Sequence, residues 1–115
     1  MEQILIIDDD DSIVDLMNRV LTHSGYRVKI ARDGDEGIHI LKNTHDYKLV
    51  ITDIRMPRKD GNSVAKYVKS SAKLSDTPVV AITGFVDDVQ RELFDVVLEK
   101  PFKVKDLIKV IKFFQ

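Results

Sequence analysis

Short apolar segments alternate with amphipathic helical patterns along this chain, and that alternation limits the folds open to it more than any other feature. Five segments rich in Val, Ile and Leu predict buried strands, at residues 3–7, 27–31, 49–52, 78–82 and 96–98. Helical spacing follows each strand and is weakest between residues 86 and 94, where we expect only a short helix. This alternation predicts an α/β domain over residues 1–115, with a parallel sheet and helices on both faces.

The composition excludes several classes of protein. The chain is 43% hydrophobic and 32% charged with a net charge of −1, so no nucleic-acid or membrane surface is expected. It has no cysteine, which rules out disulfides and thiolate sites, and its apolar runs are far too short to span a membrane. Glu2 and Gln3 stand where a signal peptide would carry basic residues, so a cytoplasmic location is expected.

Polar side chains follow four of the five predicted strands. They are Asp8 and Asp9 after the first strand, Asp53 after the third, Thr83 after the fourth and Lys100 after the fifth. In a parallel sheet of this class, ligands bind beyond the carboxyl ends of the strands. We therefore expect three carboxylates, one hydroxyl and one ammonium to meet at a single edge of the sheet.

The run ILIIDDDD places four aspartates at the end of a strand. Carboxylates this close repel one another, and a cation can offset the repulsion. Because Mg²⁺ takes one or two protein carboxylates and keeps several waters, Asp8 and Asp9 are predicted to bind it. Asp10 and Asp11 lie near the N-terminus of the next helix and are expected to gain from capping and from the helix dipole; either Asp11 or Ser12 can cap that helix.

The same side chains suit phosphoryl transfer. An aspartate can accept a phosphoryl group as an aspartyl-phosphate when nearby charge is neutralised. Asp53 is the best candidate because its strand lies between the acidic pair and the Thr83 and Lys100 pair. Lys100 and Thr83 would stabilise the phosphoryl oxygens, and Gly84 has no side chain to obstruct them. Each residue alone is ordinary in a turn or a cap, so the prediction depends on their joint placement.

Four motifs show which family the chain resembles. They are ILIIDDDD at residues 4–11, TDIRMPRKDG at 52–61, AITG at 81–84 and EKPF at 99–102. Over essentially its whole length the chain resembles the receiver (response regulatory) domain of two-component response regulators. The resemblance implies a flavodoxin-like (CheY-like) fold, a doubly wound five-stranded parallel sheet of strand order 2-1-3-4-5.

The resemblance also implies a function in phosphorelay signalling. Asp53 would accept a phosphoryl group from a sensor histidine kinase or a histidine phosphotransfer protein, and Thr83 and Lys100 would hold the phosphoryl oxygens. The Lys100–Pro101 bond is expected to be cis. The domain would assist only its own phosphorylation and slow dephosphorylation, and would control a partner or an output domain rather than catalyse a reaction on a separate substrate.

A Mg²⁺ site is the implied cofactor site. Asp9 and Asp53 would bind the ion directly, Asp8 would act through water, and the backbone carbonyl of Arg55 would complete the protein ligands. Gly61 is expected to shape the loop after Asp53 rather than to take part in the chemistry.

Two departures from the family pattern concern switching. The stretch from Thr83 to Lys100 is several residues shorter than usual, so the fourth helix is expected to be short or irregular. Val97 stands where the family usually has Tyr or Phe, and PVVAITGF at residues 78–85 is similar to a subgroup that also lacks this aromatic. We therefore expect signalling through order and disorder of the segment from Phe85 to Val96.

Two other functions stay open at this point. A haloacid-dehalogenase-type phosphatase would use an Asp-x-Asp motif, which Asp8 and Asp10 imitate, but it would leave the motif at Asp53 unexplained. A receiver-shaped interaction module would never be phosphorylated. Phe113 lies off the inward face of the last helix, as a harmless end residue or as a contact in a homodimer or with a partner. The sequence leaves open whether the domain stands alone or belongs to a longer regulator or hybrid kinase.

Overall fold

A five-stranded parallel sheet forms the centre of the computed structural model, which describes residues 2–115. The strands lie within one residue of the predicted ranges. They are β1 (Gln3–Ile7), β2 (Arg27–Ala31), β3 (Leu49–Thr52), β4 (Val79–Thr83) and β5 (Val96–Glu99). Their order in the sheet is β2-β1-β3-β4-β5, and every neighbouring pair is parallel, as the resemblance implied.

Four α-helices cover the two faces of this sheet, as predicted. They are α1 (Asp11–His23), α2 (Gly34–Asn43), α3 (Gly61–Ser70) and α4 (Val104–Phe113). Ile4 and Ile6 pack in one hydrophobic cluster with buried residues of α1 and α4, whereas Leu5 and Ile7 pack in a second cluster with those of α2 and α3. Successive residues of a strand point to opposite faces, so β1 is apolar at every position from Ile4 to Ile7.

Asp10 caps α1, which confirms that this acid gains from capping, whereas the expectation that Asp11 or Ser12 is the cap residue was wrong. The Asp10 carboxylate accepts hydrogen bonds from the backbone N–H of Ser12 at 2.9 Å and of Ile13 at 3.3 Å. The helix begins at Asp11, one residue earlier than a cap at that position would require. Gly25 ends the helix in the left-handed region, with φ of +96°, as its type allows.

The segment between β4 and β5 contains no α-helix. In place of the short helix expected over residues 86–94, two single 3₁₀ turns lie at Val86–Asp88 and Arg91–Leu93. Neither turn has a side-chain cap at its start, and a single turn forms too few hydrogen bonds to offset the cost of nucleating an α-helix. The prediction of an irregular fourth helix is confirmed. No helix within residues 2–115 has the length and apolar character needed to cross a membrane.

Candidate functional site

The polar residues at the strand ends converge at one edge of the sheet. Lys100 Nζ donates hydrogen bonds to Asp8 Oδ2 at 3.1 Å and to Asp53 Oδ2 at 3.0 Å. Asp8, Asp9 and Asp53 each offer a carboxylate oxygen, and these three oxygens lie within 4.8 Å of one another. The strands β1, β3 and β5 therefore bring together four side chains that the sequence separates by up to 92 positions.

Burial makes the charges of this cluster interact strongly. The Asp8 side chain is 1% exposed, and burial raises the pKa of its carboxyl from 3.8 to about 6, with the Asp53 charge adding to the rise. Burial lowers the pKa of Lys100, but the hydrogen bond to Asp53 and the charges of Asp8 and Asp53 outweigh that effect and leave it raised. One ammonium thus partly neutralises two buried carboxylates.

Asp53 is held in place by its surroundings. Its Oδ1 accepts a hydrogen bond from the Ile54 backbone N–H at 2.7 Å, while Oδ2 faces Lys100. The Thr52 hydroxyl donates to the Asp53 carbonyl oxygen at 2.8 Å. A Cβ at Gly61 would lie 2.1 Å from that same carbonyl oxygen, so the loop closes over Asp53 only because residue 61 is glycine. Gly61 therefore shapes the loop, as expected.

Thr83 ends β4 and is fully buried, and its backbone carbonyl accepts a hydrogen bond from the Lys100 backbone N–H at 2.9 Å. Its hydroxyl oxygen accepts a hydrogen bond from the Phe85 backbone N–H at 3.0 Å. That bond uses a lone pair and leaves the hydroxyl hydrogen free to be donated elsewhere. A Cβ at Gly84, the next residue, would meet nothing within 4 Å, so the space beside Gly84 is open.

Several features near the site were missed or misjudged from the sequence. Arg55 Nε pairs with Asp88 Oδ2 at 2.6 Å, and its guanidinium carbon lies 3.7 Å from the centroid of the Phe85 ring. The side chain of Asn62 binds the backbone of Asp88 and Gln90. No sequence signal could have shown these pairings, because the partners are 26 to 33 positions apart.

Asp10 lies outside the cluster, because its carboxylate caps α1. The Asp-x-Asp pattern of Asp8 and Asp10 therefore does not present two acids to one site. The Lys100–Pro101 bond is cis, as expected. Three clustered carboxylates beside an ammonium and a hydroxyl can hold a hard divalent cation and an anionic group next to it.

Comparison with known proteins decides the family. The sequence profile described as the response regulator receiver domain matches residues 4–112. The chain belongs to this receiver domain family. Receiver domains are regulatory domains of two-component systems, and the fold and the family resemblance derived from the sequence are both confirmed.

Curated relatives of this receiver domain are longer proteins. It is 33% identical over 117 aligned positions to the "Transcriptional regulatory protein CpxR homolog" of Haemophilus influenzae, an alignment covering 97% of this chain and 49% of that protein. The chain thus spans about half the length of the curated relatives it matches.

Solved structures agree with the fold in detail. The response regulator TrrA of Thermotoga maritima, solved in complex with Mg²⁺ and beryllofluoride, is 28% identical, with a TM-score of 0.89 and coverage of 100% of both chains. The receiver domain of a histidine kinase from Syntrophus aciditrophicus is also 28% identical, with a TM-score of 0.89, over 99% of this chain and 89% of that one.

Proposed function

We propose that this receiver domain accepts a phosphoryl group on Asp53 from the phosphohistidine of a sensor histidine kinase or a histidine phosphotransfer protein. The observation that carries the proposal is the placement of Asp53. Its carboxylate lies between the Ile54 N–H and the Lys100 ammonium and beside the carboxylates of Asp8 and Asp9. An acid nucleophile next to a cation site and an ammonium is the arrangement that aspartyl-phosphate formation needs.

The residues present fit Mg²⁺. Three carboxylate oxygens within 4.8 Å suit a hard cation, and burial disfavours the charged form of Asp8 unless a cation offsets it. Asp9 and Asp53 would bind the ion directly, Asp8 through water, and the Arg55 backbone carbonyl would complete the protein ligands. When bound, Mg²⁺ would neutralise charge on the phosphoryl oxygens.

The protein side chains supply the remaining chemistry. An Asp53 carboxylate oxygen bonds to phosphorus while the bond from phosphorus to the donor imidazole nitrogen breaks, and that nitrogen keeps the electron pair. The Lys100 ammonium and the Thr83 hydroxyl hydrogen stabilise the phosphoryl oxygens as charge develops on them. Slow attack by water on the acyl phosphate returns the domain to its resting state, so its chemistry is confined to itself.

Phosphorylation would control an output domain or an effector protein. The two relatives of which the chain covers 49% and 48% are named transcriptional regulatory proteins. Phe113, which is 75% exposed at the end of α4, is a candidate contact in a homodimer or with such a partner. The domain itself is not proposed to bind nucleic acid or membrane.

Labelling with acetyl phosphate tests the proposal. The wild type should gain one phosphoryl group in a Mg²⁺-dependent reaction, measured by intact-protein mass spectrometry, and Asp53→Asn should gain none. Asp15→Asn, which changes an exposed carboxylate on α1, is the matched control and should behave as the wild type. Labelling at Asp8 instead would support the phosphatase-type alternative, and no labelling at all would support a pure interaction module.

A further inference from the structure

Residues 85–90, named here the 85–90 segment, are held against the rest of the domain by two side chains from outside it. Arg55, in the loop after β3, pairs with Asp88 at 2.6 Å and stacks on Phe85 with its guanidinium carbon 3.7 Å from the ring centroid. An Arg guanidinium can bind a carboxylate and an aromatic face at once, because it is planar and its charge is delocalised. A single side chain thus contacts both ends of the first 3₁₀ turn.

Asn62, in the first turn of α3, provides the second attachment. Its Nδ2 donates to the Asp88 carbonyl at 2.8 Å, and its Oδ1 accepts from the Gln90 backbone N–H at 2.9 Å. Asn62 is 6% exposed, so its amide group depends on these partners for hydrogen bonds. The 85–90 segment, which has no α-helix of its own, therefore takes its position from α3 and from Arg55.

The Arg55 attachment and the start of the 85–90 segment both lie next to residues of the candidate phosphorylation site. Arg55 lies two residues after Asp53, and the Phe85 backbone N–H donates to the Thr83 hydroxyl oxygen at 3.0 Å. Movement of the segment must therefore change the surroundings of Thr83. Val97 provides no aromatic ring that could transmit a change through β5.

We propose that Arg55, Asp88 and Asn62 form a clasp, which holds the 85–90 segment in its resting position. Phosphorylation of Asp53 opens this clasp. This inference rests on the proposed function. A phosphoryl group carries about two negative charges near neutral pH, against one for a carboxylate. It attracts the Arg55 guanidinium more strongly than Asp88 does, and loss of the Arg55–Asp88 pair leaves the segment with the Asn62 contacts alone.

Thermodynamic linkage makes the clasp measurable. If occupancy of the phosphoryl site opens the clasp, then a variant with a weakened clasp must bind a phosphoryl mimic more tightly, because less free energy is spent on opening it. The Arg55 and Asp88 side chains are 59% and 40% exposed, so the pair itself contributes modestly. We expect a change in affinity of roughly two- to fivefold.

Asp88→Asn and Asp87→Asn form a matched pair for this test. Both variants remove one negative charge at neighbouring exposed positions, but only Asp88 pairs with Arg55. Binding of beryllofluoride at fixed Mg²⁺ concentration is followed by NMR titration. Asp88→Asn should bind roughly two- to fivefold more tightly than Asp87→Asn, and equal or weaker binding would overturn the proposal.

Hydrogen exchange tests the clasp without any ligand. The Gln90 and Phe85 amides should exchange at least several-fold faster in Asp88→Asn and Asn62→Ala than in Asp87→Asn, while amides of β1 and β3 keep their wild-type rates, which also shows that the variants are folded. Equal Gln90 and Phe85 exchange in all variants would show that no clasp exists. If the wild type is labelled on Asp53 but these tests fail, only the clasp is overturned. If the wild type is never labelled, the proposed function is overturned and the clasp with it.

Discussion

The Lys100 ammonium lies 3.0 Å from the Asp53 carboxylate, although 47 positions separate the two residues in the chain. The contact joins the end of β5 to the end of β3, across β4, which lies between them in the sheet. Among the residues that the structure describes, Lys100 carries the only ammonium bound to Asp53. The contact therefore puts this ammonium where phosphoryl charge would develop.

Replacement of that ammonium should slow phosphorylation. Lys100→Met keeps the length of the side chain but removes its charge, and loss of one preorganised donor costs roughly a hundredfold or more in rate. We expect acetyl phosphate labelling of Asp53 to slow by about that factor, as measured by mass spectrometry over time. Lys105→Met, at an exposed position on α4, should label at the wild-type rate. Similar rates for both variants would remove Lys100 from the proposed chemistry.

Asp8 should make the metal-free domain less stable as the pH rises. Its carboxyl has a pKa of about 6 in the folded state and 3.8 in the unfolded chain, so between these values the folded state holds a proton that the unfolded chain has lost. The free energy of unfolding therefore falls as the pH rises from about 4 to 6, by at most about 3 kcal/mol at 1.36 kcal/mol for each step of pKa.

Asp8→Asn removes this titration. In chelator-treated protein the variant should be more stable than the wild type at pH 8, by about 1–3 kcal/mol, and the difference should vanish below about pH 4. Urea denaturation at several pH values measures both quantities. Asp46→Asn, at an exposed position before β3, should follow the wild-type curve. A stability difference that does not change with pH would contradict the assignment to Asp8.

Mg²⁺ should stabilise the domain through Asp9. A ligand that binds only the folded state adds about 2.7 kcal/mol to the free energy of unfolding at a concentration of 100 Kd. We expect such a gain for the wild type in thermal or urea denaturation, its loss on adding a chelator, and little gain for Asp9→Asn. Asp35→Asn, which changes an exposed acid of α2, should keep the full effect. Equal stabilisation of Asp9→Asn and the wild type would exclude Asp9 as a ligand.

Replacement by alanine should lower the free energy of unfolding much more at Gly61 than at Gly84. Gly61→Ala places a methyl group 2.1 Å from the Asp53 carbonyl oxygen, so the backbone around Asp53 must shift, at a cost of about 1–3 kcal/mol or more. Gly84→Ala meets nothing within 4 Å and should change the free energy of unfolding by less than about 1 kcal/mol. Urea denaturation compares them, and equal destabilisation would show that the close approach at Gly61 is relieved elsewhere.

Local patterns were enough to predict most of the fold. Each strand was located within one residue, because buried parallel strands are continuously apolar and their ends carry polar or turn-forming residues. The positions of Asp8, Asp53 and Lys100 followed from the same rule, since the carboxyl ends of parallel strands share one edge. Prediction failed for the cap of α1 and for residues 86–94, where weak local preferences compete and neighbouring elements decide the outcome.

The sequence by itself determined the α/β architecture and which kinds of side chain gather at one edge of the sheet. The reason is that hydrophobic periodicity, strand ends and motif spacing are local properties of the chain. Only the tertiary structure decided that Lys100 reaches both Asp8 and Asp53 and that Arg55 and Asn62 hold the 85–90 segment. Such contacts depend on the packing of distant elements to within an ångström. No local pattern encodes that packing, since side chains of these types are mostly exposed to water in proteins and their burial here depends on distant partners.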